Sequence, residues 1–219
     1  TGKPKGVMLS HSNLVSNVLD VEDRIPVGEG ARALSFLPIC HVFERMLTYL
    51  YMQNCYSIYF AESIDKIGEN IREVKPDIIA LVPRLLEKVY DRIVATGSEL
   101  TGIKKKLFFW ALELGEKFDH QTNAGFYNFQ LGIARKLIFS KWQEALGGNI
   151  KAMVSGGAAL NPRLNRVFSA AGFNIQEGYG LTETSPVIAV NAPTPEQGKW
   201  IGSVGKPIKN VEVKIAEDG

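Results

Sequence analysis

Two patterns of apolar residues alternate along the chain. Helical spacing, with apolar residues three and four positions apart, runs through residues 12–20, 42–55, 63–76 and 85–97. Short apolar runs lie between and after these segments, at residues 33–37, 57–60, 78–82, 150–154 and 187–190. A continuous run such as 78–82 is typical of a strand covered on both faces. The alternation predicts an α/β fold with a layered, largely parallel sheet flanked by helices.

Single residues predict where several helices begin and end. Ser63 is the predicted N-cap of the third helix, and Gly97 is the predicted end of the fourth. Asn161 followed by Pro162 predicts an N-cap and the first helical position of a later helix. Gly172 is predicted to close that helix.

Two segments depart from the alternation. Residues 100–146 carry two long helical patterns broken near residues 123–125, which predicts a helical insertion at the edge of the sheet. From Gly198 onward, strand and turn residues occur without helical spacing, and residues 211–215 are predicted to form a strand.

Composition excludes several classes of protein. The 219 residues are 45% hydrophobic and 22% charged, which is ordinary for a globular protein, and the net charge of +2 gives no basic excess for nucleic acid. Cys40 and Cys55 form neither a metal-binding spacing nor a disulfide framework. No apolar run is long enough to span a bilayer, and the first residues do not resemble a signal peptide. We therefore expect a cytoplasmic protein.

The residues with the clearest chemistry lie at 176–186. Tyr179 stands between two glycines and offers a flat face for a base, while Thr182 can donate a hydrogen bond to an anionic oxygen. Glu183 supplies the hard oxygen that Mg²⁺ prefers alongside substrate phosphates. A nucleotide site is one interpretation. The alternative is an ordinary surface loop after a strand, and these residues alone leave both open.

Three further stretches also allow two interpretations. Residues 1–7 form either a phosphate-binding loop with Lys5 or a frayed terminal loop. His41 follows a predicted strand, where ligands bind in open α/β sheets, but a lone histidine is often structural. Residues 155–158 are small and either leave room for a planar ring or make a tight turn. For the basic and aromatic cluster at 104–110, a core role with solvated lysines is favoured over membrane contact.

Four of these stretches together resemble one family. Residues 179–183, with residues 1–7, 37–45 and 155–158 in the same order, are similar to the acyl-adenylate-forming superfamily, the AMP-forming acyl-CoA synthetases and their relatives. Residues 37–45 and 82–90 are similar in particular to long-chain fatty-acid CoA ligases.

The resemblance implies a fatty acid, ATP and CoA as substrates and Mg²⁺ as the metal. Glu183 is then the metal ligand, Thr182 binds the α-phosphate, and His41 orients the acyl carboxylate. The resemblance assigns the remaining nucleotide contacts to Thr1, Gly2, Lys5, Gly156, Gly157, Ala158, Glu177, Gly178, Tyr179 and Gly180. Within this set, Glu177 contacts the adenine edge and Tyr179 stacks on the ring. Arg45 is considered as a gate of an acyl tunnel.

The resemblance also implies a domain organisation. Residues 1–197 correspond to part of a large AMP-binding domain and residues 198–219 to the start of a β-rich subdomain. We interpret the sequence as an internal fragment that lacks the C-terminal lid domain, and we expect the fragment alone to be inactive. The alternatives are another adenylate-forming enzyme, such as an aryl-CoA ligase, a luciferase-like enzyme or an amino-acid adenylation domain, or a non-catalytic nucleotide-binding module. Peripheral contact at the inner face of a membrane is also considered.

Overall fold

The computed structural model describes residues 5–122 and 125–217, and these residues form one seven-stranded sheet. The strands stand in the order β2-β1-β3-β4-β5-β6-β7. Their bounds are β1 (Arg32–Ser35), β2 (Ser57–Phe60), β3 (Ile78–Leu81), β4 (Ala152–Ser155), β5 (Ile175–Gly180), β6 (Val187–Val190) and β7 (Lys206–Pro207). Pairing is parallel from β2 to β5 and antiparallel between β5, β6 and β7.

Helices connect the parallel strands and cover both faces of the sheet. Their bounds are α1 (His11–Val21), α2 (Val42–Gln53), α3 (Ile67–Val74), α4 (Pro83–Glu99), α5 (Gly102–Glu116), α6 (Gly125–Ala134), α7 (Ser140–Ala145) and α8 (Pro162–Ala170). A π-helix, Arg135–Phe139, joins α6 to α7. Within the described ranges, no helix is both long and apolar enough to cross a bilayer.

Strand β3 divides the core into two layers because successive side chains of a strand point to opposite faces. Ile78 and Ala80 pack beneath α1 and α2, against Met46. Ile79 and Leu81 pack on the other face, in the larger cluster formed with α3, α4 and the helices of the insertion. The predicted α/β architecture is therefore confirmed.

The buried carboxylate of Asp77 holds the starting ends of three neighbouring strands. It accepts hydrogen bonds from the backbone N–H of Arg32 at 2.8 Å and from Asn149 at 2.9 Å, and it pairs with Lys151 at 2.9 Å. Burial alone would raise the pKa of Asp77, but these donors outweigh burial and hold the pKa below its ordinary value. Strands β1, β3 and β4 therefore start from one anchored point.

Asn17 ties helix α1 to strand β6. Its side-chain amide donates to the carbonyl of Val187 at 2.9 Å, and its side-chain oxygen accepts from the N–H of Val187 at 3.1 Å. Both contacts are buried. A buried backbone N–H or carbonyl needs a hydrogen-bond partner, and the side chain of Asn17 supplies one to both backbone groups of Val187.

The structure confirms most of the predicted elements and corrects three. Helix α4 does not end at Gly97 but continues to Glu99, because the missing side chain of Gly97 leaves space for the ring of Phe108. Ser63 makes no cap hydrogen bond, since a 3₁₀ turn (Ile64–Lys66) precedes α3. Residues 211–215 form no strand, because no described strand lies beside them to accept or donate backbone hydrogen bonds.

The predicted start and closure of α8 are confirmed at Asn161 and Gly172. The side chain of Asn161 accepts from the N–H of Arg163 at 2.9 Å, and Gly172 adopts a φ of +94° just after the helix. The helical insertion is present as α5 to α7, but its predicted position at the edge of the sheet is wrong: it connects the central strands β3 and β4 and packs on one face of the sheet with Ile79 and Leu81. The predicted break at residues 123–125 lies mainly outside the described residues. Phe108 is buried in the core, as favoured for the cluster at 104–110, and the three lysines of that cluster are exposed.

The contact between Gly97 and Phe108 yields a stability prediction. A Cβ at position 97 would lie 2.1 Å from the ring of Phe108, which is itself buried. We expect Gly97→Ala to lower the free energy of unfolding by about 1–3 kcal/mol through overpacking. Gly132→Ala is the control, because nothing lies within 4 Å of that position, and it should raise stability by about 0.5–1 kcal/mol. Urea denaturation measures both, and equal effects would contradict the packing explanation.

Candidate functional site

The connections that leave three parallel strands border one cavity of about 270 Å³. They follow β1, β4 and β5, at the carboxyl ends of the strands. From β1 the chain first continues to β2 on one side and then crosses to β3 on the other side of β1. The direction in which strands are added to the sheet therefore reverses at β1. Ligands of open α/β sheets bind beyond the carboxyl ends of strands at such a reversal.

The cavity has a polar rim and an apolar interior. The rim carries His41, Tyr179, Thr182 and Glu183. The interior is lined by aliphatic, aromatic and thioether side chains: Val21, Ile25, Val42, Phe43, Met46, Leu47, Leu50, Val154, Pro186, Val187 and Val190. No charged side chain belongs to this interior among the residues that the structure describes. The space therefore offers polar contacts at its mouth and apolar surface behind them.

A short turn after β5 presents Thr182 and Glu183. The N–H of Leu181 donates to the Thr184 hydroxyl at 2.9 Å and to the carbonyl of Pro186 at 3.1 Å, which closes the turn on itself. The Ser185–Pro186 peptide bond is cis. Thr182 and Glu183 are exposed on a 3₁₀ turn (Thr182–Thr184), so their side chains are free to contact a ligand.

Strand β5 places Tyr179 beside that turn. The prediction took residues 176–180 as a loop or site after a strand, whereas they belong to β5 itself. Gly180 closes the strand where a Cβ would lie 1.9 Å from the carbonyl oxygen of Pro186, so only glycine fits. Half of the Tyr179 surface is exposed, which leaves the ring available at the rim.

Glycines after β4 bring the backbone close to helix α2. A Cβ on Gly156 would lie 2.9 Å from the ring of Phe43. Gly157 has a φ of +81°, a conformation that favours glycine. Gly156 therefore lets Phe43 pack directly against the loop and form a wall of the cavity, and Gly157 allows the turn that follows.

His41 caps helix α2 and in doing so acquires a defined orientation. Its Nδ1 accepts the N–H of Phe43 at 3.3 Å. In a neutral imidazole with an accepting Nδ1, the proton is on Nε2. His41 thus offers an N–H donor at the rim, next to the N-terminus of α2, where negative charge is stabilised.

The structure brings together eight of the predicted site residues and leaves others outside the cavity lining. The lining includes His41, Gly156, Gly157, Gly178, Tyr179, Gly180, Thr182 and Glu183. Ala158 and Lys5 are exposed and do not line the cavity, and Glu177 is buried behind it. Thr1 and Gly2 lie outside the described residues. The roles predicted for all of these residues stay predictions.

The family model described as "AMP-binding enzyme" matches residues 1–219. The chain belongs to this family.

Curated relatives agree with this membership and extend beyond the chain. The chain is 33% identical to "Long-chain-fatty-acid--CoA ligase FadD15" of Mycobacterium bovis over its whole length, which is 37% of that protein. It is 30% identical to "Probable acyl-activating enzyme 16, chloroplastic" of Arabidopsis thaliana, over 99% of the chain and 33% of that protein. The chain thus spans about a third of the length of these relatives.

Solved structures share the fold. A Mycobacterium tuberculosis fatty acyl CoA synthetase superposes with a TM-score of 0.66 at 19% identity, over 100% of this chain and 35% of that chain. The o-succinylbenzoate CoA synthetase (MenE) of Bacillus subtilis, in complex with its acyl-adenylate intermediate, gives a TM-score of 0.65 at 19% identity over the same shares. At this identity the likeness concerns the fold of an AMP-binding enzyme.

In this AMP-binding enzyme, Glu177 connects the strand that carries Tyr179 to helix α8. Its carboxylate accepts from Asn165 at 2.7 Å and from the N–H of Gly202 at 3.4 Å. Burial raises the pKa of Glu177, although these donors act in the opposite direction. The carboxylate is therefore occupied within the fold, and its predicted contact with the adenine edge stays a prediction.

Sequence reasoning missed the apolar interior of the site. Met46, Leu47 and Leu50 follow helical spacing on α2, and this is the signal that marks their shared face. The pattern predicted the helix, but it did not indicate that these side chains line a cavity.

Arg45 lies outside this cavity. Its Nε donates to the carbonyl of Ile39 at 3.4 Å, and its side chain borders a second cavity of about 510 Å³ between α1 and α2. Its interpretation as a tunnel gate therefore gains no support from the lining of the first cavity.

A Mg²⁺ ion fits the donor set at the rim if phosphates complete its coordination. Glu183 is an exposed carboxylate, and no described residue forms an ion pair with it. No cluster of three or more histidine, cysteine or acidic side chains with metal-binding geometry occurs in the described ranges. Mg²⁺ is commonly held by one or two carboxylates plus substrate phosphates rather than by a protein cage. Glu183 suits a metal that arrives with a nucleotide.

Glu44 is a buried acid that the sequence interpretation did not assign to the core. It lies on the first turn of α2, its carboxylate accepts a hydrogen bond from the hydroxyl of Ser35, and its other oxygen has no partner. The contact joins the end of β1 to the start of α2, on either side of the loop that carries His41. Burial raises the pKa of Glu44 by more than the hydrogen bond from Ser35 lowers it, so the pKa lies above its ordinary value.

This arrangement yields a pH-dependent prediction for Glu44→Gln. A raised pKa means that the folded state favours the protonated acid, so ionisation above the ordinary value of 4.5 opposes folding. We expect wild-type stability, measured relative to Glu44→Gln, to be greatest at low pH and to fall as pH rises from 4.5 toward the raised pKa. Urea denaturation across this range tests it, with the exposed Glu73→Gln as a control. If the free energy of unfolding of the wild type rose with pH relative to that of Glu44→Gln, the raised pKa of Glu44 would be contradicted.

Proposed function

We propose that the protein containing this chain is an AMP-forming acid–thiol ligase that activates long-chain fatty acids with ATP and CoA. One observation carries the proposal: the cavity joins a polar rim of nucleotide-type contacts to an uncharged apolar interior. Residues 1–197 belong, in this proposal, to the large AMP-binding domain, and residues 198–219 begin a β-rich subdomain. The cytoplasmic location likewise stays a prediction.

The rim suits the nucleotide. Tyr179 presents a half-exposed ring on which adenine can stack, and the glycine loop at Gly156 and Gly157 leaves room beside it. The hydroxyl of Thr182, on the 3₁₀ turn after β5, donates a hydrogen bond to the α-phosphate. Glu183 is the residue that would hold Mg²⁺, and the ion would supply neutralisation of the phosphate charge.

The interior suits an aliphatic chain. Its lining is apolar throughout, so a second carboxylate on the substrate would meet no cation there. This favours a fatty acid over a dicarboxylic aryl acid such as o-succinylbenzoate. His41 stands at the boundary of the two regions, where its Nε2–H can donate to the carboxylate of the acid.

The rim and interior together support two steps. In the first, a carboxylate oxygen of the fatty acid attacks the α-phosphorus of ATP, the bond to the β-phosphate breaks, and pyrophosphate leaves with the electron pair. In the second, the sulfur of CoA attacks the acyl carbon, the acyl–oxygen bond breaks, and AMP leaves while the thiol proton passes to solvent. The residues of this chain contribute by positioning and by neutralising charge.

Replacement of the proposed metal ligand tests this assignment. Glu183→Gln removes a charge with little change in volume, so folding should survive while adenylate formation falls by about 100-fold or more. The measurement is fatty-acid-dependent exchange of pyrophosphate into ATP by the full-length protein, together with its melting temperature. Glu73→Gln, an exposed carboxylate on α3, is the control. Unchanged exchange in Glu183→Gln would rule out the assignment.

The stacking role of Tyr179 can be tested separately by ATP binding. We expect Tyr179→Phe to keep the affinity and Tyr179→Ala to weaken it by about 1–3 kcal/mol, the scale of base–aromatic stacking. Tyr59→Ala is the matched control, since Tyr59 is also a partly exposed tyrosine but lies on the edge strand β2. Isothermal titration calorimetry of the full-length protein measures these affinities, and equal affinities for the Phe and Ala variants would show that the ring does not stack.

A further inference from the structure

Glu44 is the most deeply buried carboxylate among the residues that the structure describes. It is 1% exposed, whereas Asp77 and Glu177 are each 6% exposed. One of its oxygens accepts from the hydroxyl of Ser35, and the other has no partner in the described ranges. Burying a half-satisfied carboxyl group costs free energy that an apolar side chain of similar size would not cost. Stability alone therefore does not account for an acid at this position.

The loop between β1 and α2 carries His41 and is held by few contacts. Residues 38–41 are all exposed, so burial does not fix their positions. The backbone N–H of His41 donates to the carbonyl of Pro38 at 2.9 Å, and its Nδ1 accepts from the N–H of Phe43 at 3.3 Å. The ring of His41 is therefore oriented by the first turn of α2, and its position depends on where that turn lies.

The hydrogen bond between Ser35 and Glu44 fixes that first turn to the sheet. Ser35 is the last residue of β1, and its carbonyl accepts from the N–H of Ala61, just after β2, at 2.9 Å. Its hydroxyl donates to Glu44 on the first turn of α2, which closes the base of the loop from the inside. On the outside, Nε of Arg45 donates to the carbonyl of Ile39 at 3.4 Å. Two consecutive residues of α2 thus hold the loop from opposite sides.

An acid in the first turn of a helix has an ordinary use, and Glu44 departs from it. A carboxylate there interacts favourably with the helix dipole from the surface. Glu69, in the first turn of α3, follows this pattern: it is exposed and pairs with Lys66 at 2.6 Å. Glu44 lies in the corresponding turn of α2 but contacts the end of the preceding strand instead. Its contact therefore serves the connection between strand and helix.

We propose that Glu44 is a positioning residue, which holds His41 at the rim of the cavity through its hydrogen bond with Ser35. The hydrogen bond closes the base of the loop, the loop fixes the ring, and the Nε2–H of the ring receives the carboxylate of the fatty acid. Glu44 itself does not line the cavity, so it acts through His41. The role of the fatty acid rests on the function proposed above, whereas the orientation of His41 does not.

Nitrogen NMR of the full-length protein, labelled with ¹⁵N at histidine, measures the orientation of His41, and His41→Asn identifies its signals. An accepting Nδ1 and a protonated Nε2 give separate signals, which converge when the two tautomers exchange freely. The double variant Ser35→Ala with Glu44→Met replaces both partners by apolar groups, so it should keep most of the stability and lose most of this separation. Glu44→Gln keeps an oxygen that accepts from Ser35 and should keep the separation.

Ser169→Ala is the matched control, since Ser169 is as buried as Ser35 and its hydroxyl donates to Asn165 at 2.9 Å. It should leave the His41 signals unchanged.

Kinetics of fatty-acid-dependent pyrophosphate exchange test what the orientation serves. The double variant should raise the KM for the fatty acid by about tenfold, the scale of one hydrogen bond to a charged group, and the KM for ATP by less than about twofold. Added to His41→Asn, the same double variant should have little further effect, because both changes act through one imidazole. Melting temperatures close to that of the wild type show that each variant is folded.

Three results would overturn the proposal. The His41 signals stay separate in the folded double variant, or Glu44→Gln loses the separation as the double variant does. In the third, the signals converge but the KM for ATP rises as much as that for the fatty acid. A wild type without fatty-acid-dependent exchange would instead refute the proposed function, and the His41 signals would still decide whether Glu44 positions the ring.

Discussion

The carboxylate of Asp77 fixes where three parallel strands begin, and the geometry of the site depends on where they end. Because β1, β3 and β4 rise about 3.3 Å for each residue, strands of equal length that start together also finish together. Four residues in each of these strands separate the anchored ends from the loops of the cavity. The anchor and the site thus lie at opposite ends of the same short strands.

Close approach of backbone and ring shapes the cavity at those loops. Gly156 lets the ring of Phe43 form a wall, and Gly180 lets the chain reverse against Pro186. In both places the missing side chain allows a close contact within the protein, and the space left beside that contact is open to a ligand. A mixed sheet contributes as well, since the change from parallel to antiparallel pairing at β5 produces the turn that carries Thr182 and Glu183.

The sequence predicted the fold well where burial follows a regular period, and less well where one contact decides the outcome. The run at 78–82 and the pattern of α2 are determined by burial on their own faces, so the periodicities identify them. Gly97 was misassigned as a helix end because its glycine serves a contact with the ring of Phe108, which lies eleven residues further along the chain in helix α5. Residues 211–215 have the composition of a strand, but strands also need a partner, and composition does not report one.

The site divides in the same way. His41 and the residues at 178–183 were predicted because their motifs are contiguous, and they meet at the cavity. The interior of the cavity and the buried acid Glu44 come from packing between distant segments, which no local pattern encodes.

The two hydrogen bonds between Asn17 and Val187 have a mechanical consequence. Helix α1 and strand β6 both border the cavity, through Val21 and Val187, and the amide of Asn17 links their backbones. A displacement of one element is therefore transmitted to the other instead of being absorbed by side-chain rotation. The width of the apolar interior is therefore set jointly by α1 and β6, because neither wall can shift on its own without breaking one of these two hydrogen bonds.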